Sequence, residues 1–178
     1  LPAIIIRPSI VVGHSKTGEV SDFNVIYPFM KLFIQGLIPL IPSSLENTFN
    51  VVPIDYVTQM TSEIVNHPTS VNKTFNLVSS NPIPLSLLQK LRNEEYPNAP
   101  EIKLIDENGI NLNHLPEADT ESITTLRPYL GYINGKLKFD TTNVDNLRKE
   151  RNIEPPKTDY ALLKRLVQYA VAANYLDL

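Results

Sequence analysis

The sequence predicts a mixed α/β chain. Continuous β-branched runs alternate with blocks whose apolar residues recur at helical spacing, and no internal repeat or low-complexity segment interrupts them. Fifteen prolines against six glycines fit long connections, the segments in which binding residues often sit. At 178 residues the chain suffices for one domain, or a piece of one, and is short for two.

In order, Ala3 to Ile6 and Ile10 to Val12 form a β-branched run, read as a strand buried on both faces. Gly13 to Ser21 is loop. Val25 to Gln35 reads as a helix, with Ile26, Phe29, Met30 and Phe33 on one face and Gly36 as its stop signal. After the proline-rich turn "IPLIPSS", Phe49 to Pro53 is a short strand. It feeds a helix marked by Val57, Met60, Thr61, Ile64 and Val65. "TFNLVSS" (74–80) is a strand, "PLSLLQKLRNE" (84–94) a helix entered through Pro84, and "EIKLI" (101–105) a further strand. Residues 107–122 read as polar loop, with room for a helical turn in "INLNHL". Thr142 and Asp145 resemble a capping box for a helix ending near Arg151. Leu163, Leu166, Val167, Ala170 and Val171 make the stripe of a last helix, from Asp159 to Tyr175.

Hydrophobic residues are 42% and charged residues 20% of the chain, with net charge −3, the composition of an ordinary globular protein. No cluster of Lys and Arg supplies a nucleic-acid footprint. With no cysteine, disulfides and thiolate chemistry are excluded. The apolar start carries Arg7 and no basic leader, and "VIYPFMKLFIQGLIPLIP" is broken by Lys31, Gln35 and three prolines, so neither a signal peptide nor a membrane span is expected. A cytoplasmic location follows as the expectation. Asn72-Lys73-Thr74 fits a glycosylation sequon, read as accidental.

Most catalytic signatures are absent: no GxGxxG, no P-loop, no Gly-x-Ser-x-Gly elbow. His14, His67 and His114 lie far apart and form no i, i+4 pair, so each reads as a surface or loop histidine and no metal site is expected. Glu94-Glu95 reads as a solvated helix end, and the scattered lysines and arginines as solvated surface. Tyr27 and Lys31, like Tyr160 and Lys164, share a helix face at i, i+4, a spacing that chance supplies readily. Arg7 lies within a strand expected to be buried. It therefore needs a partner such as Asp55, or a ligand anion. Asp55 itself is placed to cap the helix after Pro53.

"RPSIVVG" after a hydrophobic strand, then "VPIDYV", then "TFNLVSS" resemble in order the second half of an extended short-chain dehydrogenase/reductase. The form "IIRPSIVVGHSKTGE…VVPIDYV…TFNLV…FDTTNVDNL" is most similar to the thioester-reductase and fatty-acyl-reductase branch, the male-sterility type. The resemblance implies the C-terminal portion of a Rossmann-type fold with a mixed α/β substrate-binding lobe. Residues 1–20 and 70–95 would be what remains of the Rossmann sheet and its helices. Residues 21–69 and 96–178 would be the substrate-binding lobe. The family's glycine-rich turn and its Tyr-x-x-x-Lys pair lie before its counterpart of this first strand. The chain would therefore be a truncated domain, inactive alone, carrying no catalytic residue and binding no cofactor by itself.

In the complete enzyme the resemblance puts Pro8, Ser9, Ile10 and Val11 beside the carboxamide end of NADPH, or NADH, just beyond the carboxyl ends of the strands. Plain core packing is the competing reading of Ile10 and Val11. His14, Lys16, Phe23, Tyr27, Met30 and Pro53 would border the substrate. Lys16 would meet a phosphate, unless it is merely solvated, while Met30 and Phe33 would serve equally well as core. The implied reaction is NAD(P)H-dependent reduction of an acyl thioester, on CoA or a pantetheinylated carrier protein, to an aldehyde or alcohol. Two rivals remain, of which the first shares the skeleton. A sugar-nucleotide epimerase or dehydratase would place basic side chains to grip a diphosphate, and the substrate-lobe loops are poor in clustered Arg. A carrier-protein docking domain would be non-catalytic. A severed half-domain would also expose apolar surface and self-associate.

Overall fold

The computed structural model describes residues 1–105, 116–133 and 137–176. His114 and the possible turn in "INLNHL" lie outside them. The described residues gather into two compact units, one formed by Leu1–Ser21, Asn50–Pro82 and Leu137–Tyr169, the other by Asp22–Phe49, Ile83–Lys136 and Ala170–Leu178.

The first unit is built on parallel strand pairs. β1 (Ile5–Pro8) pairs with β6 (Thr74–Leu77), Ile5 opposite Thr74 and Pro8 opposite Leu77. β2 (Ile10–Val12) pairs with β5 (Val51–Pro53). The expected burial on both faces holds for Ile10 and Val12, but on β1 only Ile6 is even half-buried. Among the described residues β6 is the one strand paired with β1, and of the β1 side chains Ile6 packs on the core while Ile5, Arg7 and Pro8 are exposed.

β5 runs straight into α2 (Ile54–Asn66). Pro53, which lacks an N–H, sits extended at the point of entry, where a missing donor costs the helix nothing. One stripe of α2 (Tyr56, Met60, Ile64) packs on Val52, Phe75 and Leu77, and Val144 and Leu147 of α5 (Thr142–Arg151) close the cluster. Val65, expected on that stripe, is 58% exposed; one residue past Ile64, it is turned about 100° away. At α5 the expected capping box does not form, and the residue at the N-cap is Thr141, whose side chain caps no backbone N–H. Thr142 is already helical, and Thr141 precedes it with its hydroxyl on Asp145 Oδ2 at 2.6 Å. Asp140 Oδ1 accepts the Thr142 N–H at 2.9 Å. The last helix, α6 (Tyr160–Ala172), is capped by Asp159, whose Oδ1 accepts the Leu162 N–H at 2.9 Å.

The second unit is held by apolar side chains. α1 (Ile26–Gln35) buries Ile26, Tyr27, Phe29, Met30, Phe33 and Ile34. It ends at Gly36, whose φ of 64° is left-handed and whose missing Cβ would sit 2.7 Å from the Pro100 carbonyl oxygen. Glycine is required there on both counts. The strands are two-residue pieces: β3 (Leu40–Ile41) lies parallel to β8 (Lys103–Leu104), and β4 (Thr48–Phe49) antiparallel to β7 (Ile83–Pro84). α3 (Leu85–Glu95) follows β7. α4 (Glu117–Ile133) occupies residues of which 117–122 are expected as loop. It carries Pro128 and buries Ser122, Leu126 and Ile133, too sparse a stripe to announce a helix. No helix among the described residues is long and apolar enough to cross a membrane.

Candidate cofactor edge and substrate loop

The carboxyl end of β1 delivers the first candidate residues. Pro8 closes the strand and is exposed, and Ser9 follows with its N–H donated to the Leu77 carbonyl at 3.0 Å. The Ser9 hydroxyl is buried and has no hydrogen-bond partner among the described residues. A buried orphan donor costs about 1–3 kcal/mol, so it is the one group on this edge that gains outright from a polar ligand. Ile10 is 8% exposed, and half-buried Val11 packs on the α2 cluster.

β2 hands over to the loop 13–21. Its backbone closes on itself: the His14 N–H reaches the Glu19 carbonyl and the Gly18 N–H the His14 carbonyl, both at 2.8 Å. His14 Nδ1 accepts the Lys16 N–H at 3.2 Å. Ser15 fastens the turn. Its N–H donates to Asp55 Oδ1 at 2.8 Å and its hydroxyl to Asp55 Oδ2 at 2.6 Å. Its carbonyl accepts from Arg165 Nε at 2.8 Å. Gly18 has φ 75°, and a Cβ on it would stand 2.3 Å from the Arg165 carbonyl oxygen. Lys16 and Thr17 ride exposed at the tip.

Asp55 therefore does not cap α2 as expected. It is the second residue of the helix, and its carboxylate turns to the loop. Nor does it pair with Arg7, which is exposed and makes no ion pair among the described residues. Burial pushes the Asp55 carboxyl up, but the two bonds from Ser15, a bond from its own N–H and the nearby His14 outweigh it. The carboxyl ends below its ordinary value.

A second polar network underlies the same strands. Asn50 Oδ1 accepts the Ser79 N–H at 2.9 Å, and its Nδ2 donates to the Ser79 carbonyl at 2.7 Å. The Ser79 hydroxyl meets that of Thr158 at 2.6 Å, and Thr158 donates to the Asn81 carbonyl. Tyr56 is no candidate acid: burial, with Arg148 lowering and Asp145 raising, pushes its phenol up to about 12. His67 is less of a surface residue than expected. Its imidazole, 13% exposed, lies 3.1 Å from Glu150.

Pro53 is buried opposite Val12 in the first unit. The structure thus gathers Pro8–Val11, His14, Lys16 and Pro53 in one unit, and Phe23, Tyr27 and Met30 in the other. Phe23 stacks on Tyr175 with ring centroids 4.2 Å apart, and Tyr27 meets it edge-on at 5.3 Å. Tyr27 and Met30 are core, 1% and 2% exposed. Lys31 donates to the Tyr175 carbonyl at 2.7 Å and lies over its ring. Arg92 corrects the expectation of a solvated surface: it is 6% exposed, with its guanidinium on the Pro100 carbonyl.

Comparison with known proteins sharpens the class. Residues 1–61 match an NAD-binding family model described as Male sterility protein. No curated protein matches. Among solved structures, the terminal R domain from the myxalamid PKS-NRPS biosynthetic pathway superposes with TM-score 0.73 at 19% identity, over 99% of this chain and 45% of that one. The thiolation-reductase di-domain of an archaeal non-ribosomal peptide synthetase gives 0.65 at 18%, over 99% and 42%. UDP-glucose 4-epimerase of Thermotoga maritima gives 0.59 at 18%, over 98% and 47%. The chain spans about half the length of these proteins. Its fold is that of the Rossmann-type extended short-chain dehydrogenases/reductases. The match over the first 61 residues is to the male-sterility type that the motif order resembles.

Proposed function

We propose that this chain forms part of an NAD(P)H-dependent reductase acting on an acyl thioester, contributing one wall of the cofactor site and the substrate lobe. The observation that carries the reading is the family match over residues 1–61, which contains both "RPSIVVG" and "VPIDYV". The first unit would complete the Rossmann sheet, and the second would border the acyl chain, with half-buried Phe23 as its candidate contact and Tyr27 and Met30 as the core beneath. Ser9 fits a nicotinamide carboxamide, since its hydroxyl is buried, unpartnered and just past the end of a parallel strand. A bound nicotinamide, NADPH for preference, would supply the hydride to the thioester carbonyl, and the thiol would leave with a proton from an acid outside this chain. Ser9 would orient the ring, and Ile10 and Val11 would keep water off its face. Catalytic acid and base lie outside these 178 residues in this reading, and the isolated chain is inactive and leaves NADPH unbound.

The acyl substrate is favoured over a sugar nucleotide by the arginines of the second unit. Arg92 is buried on a backbone carbonyl and Arg127 is exposed on α4, so among the described residues of this unit neither is paired with another guanidinium as a fork for a diphosphate. The test is the full-length protein carrying this chain, given NADPH with acyl-CoA or an acylated carrier protein, with aldehyde and alcohol measured as products. Turnover of UDP-sugars and none of thioesters would replace the reading with the epimerase one.

A further inference from the structure

The geometry points to Ser15 as a positioning residue that holds Lys16 ready for the phosphate of a phosphopantetheine arm, the group shared by CoA and carrier-protein thioesters. This inference rests on the thioester reading above. Ser15 spends all three of its polar groups on anchoring: N–H and hydroxyl on the two oxygens of Asp55, carbonyl on Arg165 Nε. The anchors lie 40 and 150 residues away in sequence, so the loop is pinned from two separate segments rather than by its own stiffness. Gly18 lies against the Arg165 backbone, closer than any side chain would allow.

What the loop offers a ligand follows from what it has already used. The N–H groups of His14, Ser15, Lys16, Gly18 and Glu19 are all bonded inside the unit, so its backbone cannot act as an anion nest. The Lys16 side chain makes no hydrogen bond or ion pair among the described residues and projects from the fixed tip. A pinned lysine meets an anion with less ordering cost than one on a mobile loop. The loop also leaves β2, the strand whose start is the proposed nicotinamide wall, so in this reading an arm delivering its thioester there would run toward the loop with its phosphate end.

The experiment compares acyl-CoA, acyl-phosphopantetheine and the phosphate-free acyl-N-acetylcysteamine thioester as substrates of the full-length protein. Lys16→Ala is expected to raise KM for both phosphate-bearing substrates about tenfold, the scale of one charge-assisted hydrogen bond, with kcat within about twofold. Ser15→Ala is expected to raise the same KM values about threefold to tenfold, while Ser15→Thr, which keeps the hydroxyl, restores them. In the Lys16→Ala background Ser15→Ala should add nothing, because the two act through one contact. The inference is overturned if Ser15→Ala leaves KM unchanged, adds to Lys16→Ala, or raises KM equally for the phosphate-free thioester. It is also overturned if Lys16→Ala affects acyl-CoA alone, which would place Lys16 on the nucleotide. Failure of the wild-type protein to reduce any thioester would instead remove the underlying reading. Amide exchange at residues 14–18 in Ser15→Ala tests the anchoring independently of catalysis.

Discussion

Both units have an apolar core, but they fasten their candidate site residues differently. In the first, directional bonds tie the strand ends and the loop together: Ser15 to Asp55 and Arg165, Asn50 to Ser79, Ser79 to Thr158. In the second, α1 is sunk in apolar contacts, with Phe29, Phe33 and Ile34 at 0% exposure, and Phe23, Tyr27 and Tyr175 packed ring against ring. Hydrogen bonds fix atoms to a fraction of an ångström, which is what the proposed cofactor edge would need. Apolar packing is non-directional, which in the proposed reading would suit a lobe that takes an acyl chain.

Cutting each unit at its own fastening sharpens this contrast. The largest effect is expected in the second. Phe33→Ala empties a fully buried ring site and should cost about 3–5 kcal/mol, read as a lower midpoint in urea denaturation. In the first unit, Asn50→Ala strands the N–H and carbonyl of a Ser79 that is 3% exposed. A loss of about 2–3 kcal/mol follows from two buried groups left unpaired, and Asn50→Leu, of similar size, should do no better. Gly18→Ala forces a side chain onto the Arg165 backbone at a positive φ and should cost about 1–3 kcal/mol. Its effect should be concentrated in the amide exchange of residues 14–19.

The smallest effect is one of pH. The folded Asp55 carboxyl is held below its ordinary value, so its contribution to stability is complete above the unfolded value. It is lost as pH falls through the folded one. Stability measured against pH should drop through and below the ordinary carboxylate range, and Asp55→Asn should flatten that acid limb while leaving the slope near neutrality unchanged. An unchanged acid limb in Asp55→Asn would remove Asp55 as the anchor of the loop.

Much of the fold was legible in the sequence because its signals are local. The helical spacing of Met60 and Ile64, the Gly36 stop and the proline entries to α2 and α3 depend on residues within a turn of one another. α4 escaped notice because Pro128 and a stripe of only Ser122, Leu126 and Ile133 leave little periodicity. At the site, Pro8–Val11 and the loop with Lys16 are candidates named from the sequence, and the structure puts them in one unit. Asp55 is misread from the sequence, because an Asp two residues into a helix is locally indistinguishable from a cap.

The sequence by itself determined the alternation of strands and helices, the class of fold and the absence of thiol chemistry, since these follow from near neighbours and composition. Only the tertiary structure decided that Asp55 serves Ser15 instead of its own helix, that Arg165 closes the same turn, and that the Ser9 hydroxyl is buried without a partner. Hydrogen bonds between residues 40 and 150 positions apart leave no periodic trace in a chain. Burial, which decides which polar group goes unsatisfied, exists only once distant segments have packed.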